Sequence, residues 1–244
     1  MSHFLALTCE ALARSVYAAA ASTPHTVSVR LLEQGLHDHP RNLRIALQTQ
    51  IDAIEAGIYD AILLAYGLCG LSTAHITARH TPLVLPRAHD CITLYLGSQE
   101  RYQEEFEQHP GTYWYSVDYM EQGGGTALGA ASLQDNEAQY EAWVRKFGQE
   151  AADDLVAEMR RWSQHYTRAV FIDTGLGDTE HFEQMAREKA EREGWIFERK
   201  LGNRRLMEML LRGEWPEPEF LVVPPGYTIR PSGLDLIRAE PPEK

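Results

Sequence analysis

Short apolar runs of strand character alternate with helical patterns over the first ninety residues, and this constrains the fold more than any other feature of the chain. Phe4 to Thr8 reads as a strand and Glu10 to Ala20 as the helix after it. Thr26 to Leu32, rich in Val and Leu, is a second strand. A helix then opens near His37-Asp38-His39-Pro40, where Leu43, Leu47, Ile51 and Ile54 fall on one face, with Gly57 as its stop. Tyr59 to Ala65 is nearly all apolar, as a strand buried on both faces should be. Leu83-Val84-Leu85, framed by Pro82 and Pro86, is a fourth strand. Strands alternating with helices of about 10–15 residues point to βαβ units and a parallel sheet.

The middle of the chain differs. Residues 99–167 carry few strand signals and many charges and aromatics, with a flexible spot expected at Gly123-Gly124-Gly125 and helices over 135–148 and 149–164. Alternation resumes with strands at Arg168 to Asp173, Trp195 to Arg199 and Phe220 to Val223. Helices over Thr179 to Glu193 and Asn203 to Arg212 separate them. The expectation is an α/β protein with a mostly parallel sheet and flanking helices. Rossmann-like halves at 1–98 and 168–236 would enclose a helical insertion or lid at 99–167, in one compact unit or two lobes. The tail from Leu236 is expected to fray.

Composition narrows the function. The 244 residues carry a formal net charge of −12, which disfavours nucleic-acid or anionic-membrane partners. No apolar run reaches the ~18–20 residues of a membrane span. The opening Met1-Ser2-His3-Phe4 lacks the basic region of a signal peptide, and three cysteines cannot form a closed disulfide set. A soluble, cytoplasmic protein is expected.

The cysteines are the chemical signal. Cys9 follows the first strand, Cys69 the third in Tyr66-Gly67-Leu68-Cys69-Gly70, and Cys91 the fourth in His89-Asp90-Cys91. In a parallel sheet these strand ends share one edge, where ligands bind. Three gathered thiolates suit zinc with an open fourth position, or a [4Fe–4S] cluster with one iron exposed. Gly67 and Gly70 would let backbone approach the bound group, with Tyr66 beside them, although Tyr66 also fits a core position. His89 fits a ligand or a catalytic partner of one, and Asp90 either supports it or caps the following helix. His37 and His39 are weaker candidates, His39 reading as a solvated loop residue. Asp173-Thr174-Gly175-Leu176-Gly177-Asp178 suggests an anion site at a helix start, although its two carboxylates oppose one. Pro224-Pro225-Gly226-Tyr227 is expected at the same sheet edge, as a pocket wall.

The Tyr-Gly-Leu-Cys-Gly loop, the stretch Pro86-Arg87-Ala88-His89-Asp90-Cys91-Ile92 and Leu96-Gly97-Ser98 together resemble the domain-of-unknown-function family numbered 1638. So do Cys9-Glu10, Leu36-His37 with Pro40, Pro110-Gly111-Thr112-Tyr113, and Phe220-Leu221-Val222-Val223 with Gly226. The likeness covers roughly residues 4–230. Tyr115-Ser116-Val117-Asp118-Tyr119 departs from the family's expected run. The resemblance implies an association with corrinoid-dependent methyl metabolism, where zinc methyltransferases use a His-x-Cys pair and a distant Cys, and hence a corrinoid protein as partner.

A metal-dependent enzyme acting on a small molecule is therefore expected, an iron–sulfur or methyl-transfer type. Its metal ligands would be Cys9, Cys69 and Cys91, with His89 and Asp90 in catalysis and Tyr66, Gly67 and Gly70 around the cofactor. Two alternatives stand beside it. One is an accessory protein docking a cofactor or partner, and the other a metal-free enzyme with a cysteine nucleophile.

Overall fold

In the computed structural model, residues 1–122, 140–141, 143–145, 148–155, 165–233 and 236–242 are described, apart from the side chains of His37 and Asp38. They form two compact units, one of residues 1–104 with 202–244 and the other of residues 105–201. The architecture is α/β, with mixed, mostly parallel sheets and flanking helices.

The first unit is built on five strands. β1 (His3–Cys9) lies between β2 (Thr26–Leu32) and β3 (Ala61–Ala65). Beyond them come β4 (Leu83–Pro86) and the antiparallel β8 (Phe220–Val223), giving the order β2-β1-β3-β4-β8. Leu5 of β1 pairs with Ser28 on one side and Ile62 on the other, both parallel. Every residue of β3 and β4 is buried, which is why both read as unbroken apolar runs. α1 (Ala13–Ser22) and α2 (Pro40–Asp52) make the first two crossovers. Pro40 starts α2, where its missing N–H is no loss, and Leu43, Leu47 and Ile51 bury one face as their spacing predicts. α3 (Cys91–Leu96) and α4 (Gln99–Gln108) follow β4. α7 (Arg205–Arg212) packs on α1, β3 and β4 through Leu206, Met207, Leu210 and Leu211, each worth about 1.5–3 kcal/mol when fully buried.

The second unit has a parallel sheet of β5 (Thr112–Ser116), β6 (Arg168–Asp173) and β7 (Ile196–Leu201), with α5 (Val117–Gln122) and α6 (Thr179–Glu193) beside it. Tyr113, Tyr115, Phe171, Ala186, Ala190 and Trp195 make its core.

Several expectations change. Thr112–Ser116 is a fully buried strand where a helical segment was expected, because its aromatics pair with β6 and pack under α6. The division into units falls elsewhere than 1–98, 99–167 and 168–236: β6 and β7 join β5, whereas β8 returns to the first sheet. Residues 236–240 do not fray. They form β10 (Leu236–Glu240), paired with β9 (Thr228–Ser232), with Ile237 buried. The helices expected over 135–148 and 149–164 fall largely outside the described residues, as does the glycine run at 123–125. Among the described residues, no helix is long and apolar enough to cross a membrane.

Candidate functional site

The strand order makes the edge between β1 and β3 the place to look. After β1 the chain crosses to β2 on one side, then returns to β3 on the other, so a crevice opens at the carboxyl ends of β1 and β3. Cys9 is the last residue of β1. Cys69 lies in the loop after β3, and Cys91 is the first residue of α3 beyond β4.

The loops after β3 and β4 are clamped together. Leu68 and Cys69 donate their backbone N–H groups to the carbonyls of Ala88 and His89, each at 2.8 Å. The approach is so close that a Cβ on Gly67 would stand 2.6 Å from the Asp90 backbone. The chain then turns through three left-handed residues, Cys69, Gly70 and Leu71, with φ of 43°, 63° and 71°. Non-glycine residues adopt that conformation at a penalty of roughly 1–2 kcal/mol each, so the turn that carries Cys69 is held by its surroundings. Ser72 supports it, donating its N–H to the Leu68 carbonyl and its hydroxyl to that of Cys69. On the other side, Tyr95 of α3 donates its hydroxyl to the Ala11 carbonyl, tying α3 to the segment after Cys9.

Each thiol bears on another. Burial pushes the Cys69 thiol up to about 12, with Asp90 and Cys9 adding to it and the N–H groups of Gly67 and Cys91 partly offsetting it. Cys91 is raised well above its ordinary value by burial, then by Asp90, Cys69 and Cys9. Cys9 is pushed up to about 11, chiefly by burial. All three are free thiols. Tyr66 is buried among them: its hydroxyl is raised first by burial, then by Cys9, Cys69 and Glu10. That hydroxyl has no hydrogen-bond partner among the described residues.

A family model described as protein of unknown function, DUF1638, matches residues 31–211. The chain belongs to that family. Comparison with the curated proteins and with the solved structures finds no match. The DUF1638 match takes in the loop of Tyr66 to Gly70 and the His89-Asp90-Cys91 stretch, while Cys9 precedes it.

Within this DUF1638 chain, Asp90 caps α3: its Oδ1 accepts N–H groups from Ile92 at 2.9 Å and Thr93 at 3.3 Å. Its Oδ2 accepts the Tyr102 hydroxyl at 3.2 Å. Burial raises the Asp90 carboxyl, and these hydrogen bonds work against that rise. The His89 ring stacks on Tyr102 with centroids 5.6 Å apart. His89 is one of the residues that line a cavity of about 590 Å3. Among the described residues, no group of three or more His, Cys, Asp or Glu stands in an arrangement that could hold a metal ion; the three thiols bear on one another electrostatically.

Other candidates lie elsewhere. The side chain of His37 lies outside the described residues, and His39 is exposed ahead of α2. The Asp173 carboxylate is occupied within its own loop, accepting the Gly175 N–H at 2.8 Å and the Thr179 hydroxyl at 3.3 Å and pairing with Arg199. Pro224-Pro225-Gly226 is corrected: β8 runs antiparallel to β4, so its end meets the edge opposite the cysteines. The start of that strand comes to the functional edge instead, and Glu217 and Pro218 line the cavity with Arg87, Gln99 and Gln103. These residues give no local pattern in the sequence.

Proposed function

We propose that this chain is a metal–thiolate enzyme acting on a small molecule, with Cys9, Cys69 and Cys91 holding zinc or a [4Fe–4S] cluster. The observation that carries the reading is the Tyr66 hydroxyl, buried beside Cys9 and Cys69 with no partner among the described residues. An orphaned buried polar group costs about 1–3 kcal/mol, and a group bound by the thiols would bring it an acceptor.

The donor chemistry supports the same reading. Three thiolates within mutual electrostatic reach raise one another's proton affinity, and a soft cation offsets that repulsion while displacing the protons. A metal-free nucleophile is less well supported, since nucleophilic cysteines need a lowered pKa and these thiols are raised. When bound, the centre would supply Lewis-acid or thiol-activating chemistry. The chain's own part is to keep the site shielded through β1, β3 and α3, to orient Cys69 by the left-handed turn, and to present His89 to the cavity.

The test is purification without oxygen, followed by the ultraviolet–visible spectrum and elemental iron and zinc. Absorption near ~400 nm with about four irons per chain, lost in the three cysteine-to-serine variants, assigns a cluster. About one zinc and no colour assigns thiol activation, pointing to methyl transfer with a corrinoid partner. Folded protein with neither metal overturns the proposal.

A further inference from the structure

Cys69 and Cys91 lie on two chain segments that the backbone holds side by side. Leu68 and Cys69 donate to the carbonyls of Ala88 and His89. A Cβ on Gly67 would stand 2.6 Å from both the nitrogen and the Cα of Asp90, the residue before Cys91. The Cys69 sulfur itself accepts the N–H of Cys91, so it stands against the residue that carries the second thiol. Backbones joined by hydrogen bonds run about 4.5–5.5 Å apart, inside the roughly 4.4–6.8 Å between α-carbons that a disulfide spans.

Access separates this pair from the third thiol. Cys9 is buried at the end of β1, where it pairs with Leu32. Cys69 and Cys91 are each partly exposed, and Cys69 is followed by exposed Gly70 and Leu71. A reagent in solution therefore meets Cys69 and Cys91, with Cys9 shielded behind them.

We propose that Cys69 and Cys91 are a reversible thiol–disulfide site, oxidised by small-molecule disulfides, with Cys9 left as a free thiol. The Cys69 thiolate attacks the reagent and breaks its S–S bond, giving a mixed disulfide and releasing one thiol. The Cys91 thiolate then attacks the Cys69 sulfur, forming the Cys69–Cys91 bond and releasing the second thiol. The protein loses two electrons and two protons, and both appear in the two thiols released. Burial holds both thiols above their ordinary value and slows the first attack. The second attack is intramolecular, and the clamped segments favour it. The site goes beyond the metal–thiolate reading and does not rest on it. Its consequence for that reading is regulatory: the disulfide removes two of the three donors, so an edge that holds a metal when reduced releases it when oxidised.

The test uses the full chain, reduced, stripped of metal with a chelator and shown to be folded by circular dichroism. It is incubated with oxidised glutathione, its remaining thiols are alkylated, and its peptides are mapped by mass spectrometry. Free thiols should fall from three to one, with alkylation at Cys9 and a cross-linked peptide joining Cys69 to Cys91. Dithiothreitol should restore all three. Cys91→Ser should stop after the first step and retain glutathione on Cys69, whereas Cys9→Ser should close the bond as the unchanged chain does. A cross-link through Cys9 overturns the proposal. So does glutathione retained on both cysteines of the unchanged chain, or three alkylatable thiols remaining in folded protein. Iron and zinc analysis of the untreated protein separates the two readings. Metal present without closure sinks the disulfide alone, and closure in a chain purified without metal sinks the metal reading alone.

Discussion

Gly67 is the residue on which the cysteine edge turns. It has no other role visible in its own conformation: what matters is the absent Cβ, which would stand 2.6 Å from the Asp90 backbone and force apart the loops carrying Cys69 and Cys91. Gly67→Ala should therefore destabilise the fold by about 1–3 kcal/mol, the range for overpacking. Urea unfolding measures this, and metal content should fall with it; a variant of wild-type stability would show that the loops can separate freely. Asp90 carries a different expectation. Asp90→Ala removes an N-cap and should cost about 0.5–2 kcal/mol, whereas Asp90→Asn keeps the capping oxygen and most of that stability. If both variants lose activity and only the first loses stability, the carboxylate does more than cap. The cysteines and glycines of this site were legible in the sequence because strand ends and Gly-flanked loops are local signals. The lone hydroxyl of Tyr66 was not, since it is defined by which distant elements close over it.

Among the elements, the left-handed turn after β3 holds a strain that nothing in the composition announces. Leu71 sits at φ 71° with its side chain exposed, so its conformation is imposed and its burial offers little return. Leu71→Gly removes the steric penalty of roughly 1–2 kcal/mol, less about 0.4–1 kcal/mol for the more flexible unfolded chain. A gain of about 0.5–1 kcal/mol in chemical denaturation is expected, with metal content unchanged. A loss of stability would mean that the Leu71 side chain contributes packing that outweighs the strain. The same element scale explains what the periodicity revealed and what it hid. β1, β3 and β4 are buried on both faces and announce themselves as apolar runs. β5 is written in aromatics, Thr112-Tyr113-Trp114-Tyr115-Ser116, inside a charged region, and its strand character follows from pairing with β6 across many intervening residues. The direction of β8 is likewise a property of its neighbour. Four apolar residues cannot tell whether they will lie parallel or antiparallel to β4, yet that choice decides which end of the strand meets the site.

The molecule as a whole is two units with separate sheets and separate cores, so its unfolding need not be one transition. Acid should separate them. In the second unit Arg168 is nearly buried and pairs with Glu105 and Glu198, while Lys200 pairs with both carboxylates. Burial opposes the charged form of each Glu, but hydrogen bonds from Arg168 and Lys200 more than offset it and hold both carboxyls below their ordinary value. A depressed carboxyl contributes stability that is complete above its unfolded pKa, about 4.3, and is lost as pH falls through the lower folded value. In the first unit, the lowered carboxyls of Asp52, Glu219 and Glu240 pair with Arg79, Arg205 and Arg230, all of them more exposed than Arg168, and contribute less. Buried Asp90 is raised, so protonating it does not weaken that fold. Trp195 reports the second unit from its core, and Trp215, packed on Phe4, reports the first. In chains retaining one or the other tryptophan, moving from pH 7 to below pH 4 should lower the urea midpoint seen by Trp195 more than that seen by Trp215. Glu198→Gln, which leaves one fewer carboxylate to titrate, should shrink that difference. Midpoints that shift together would show that the two units unfold as one.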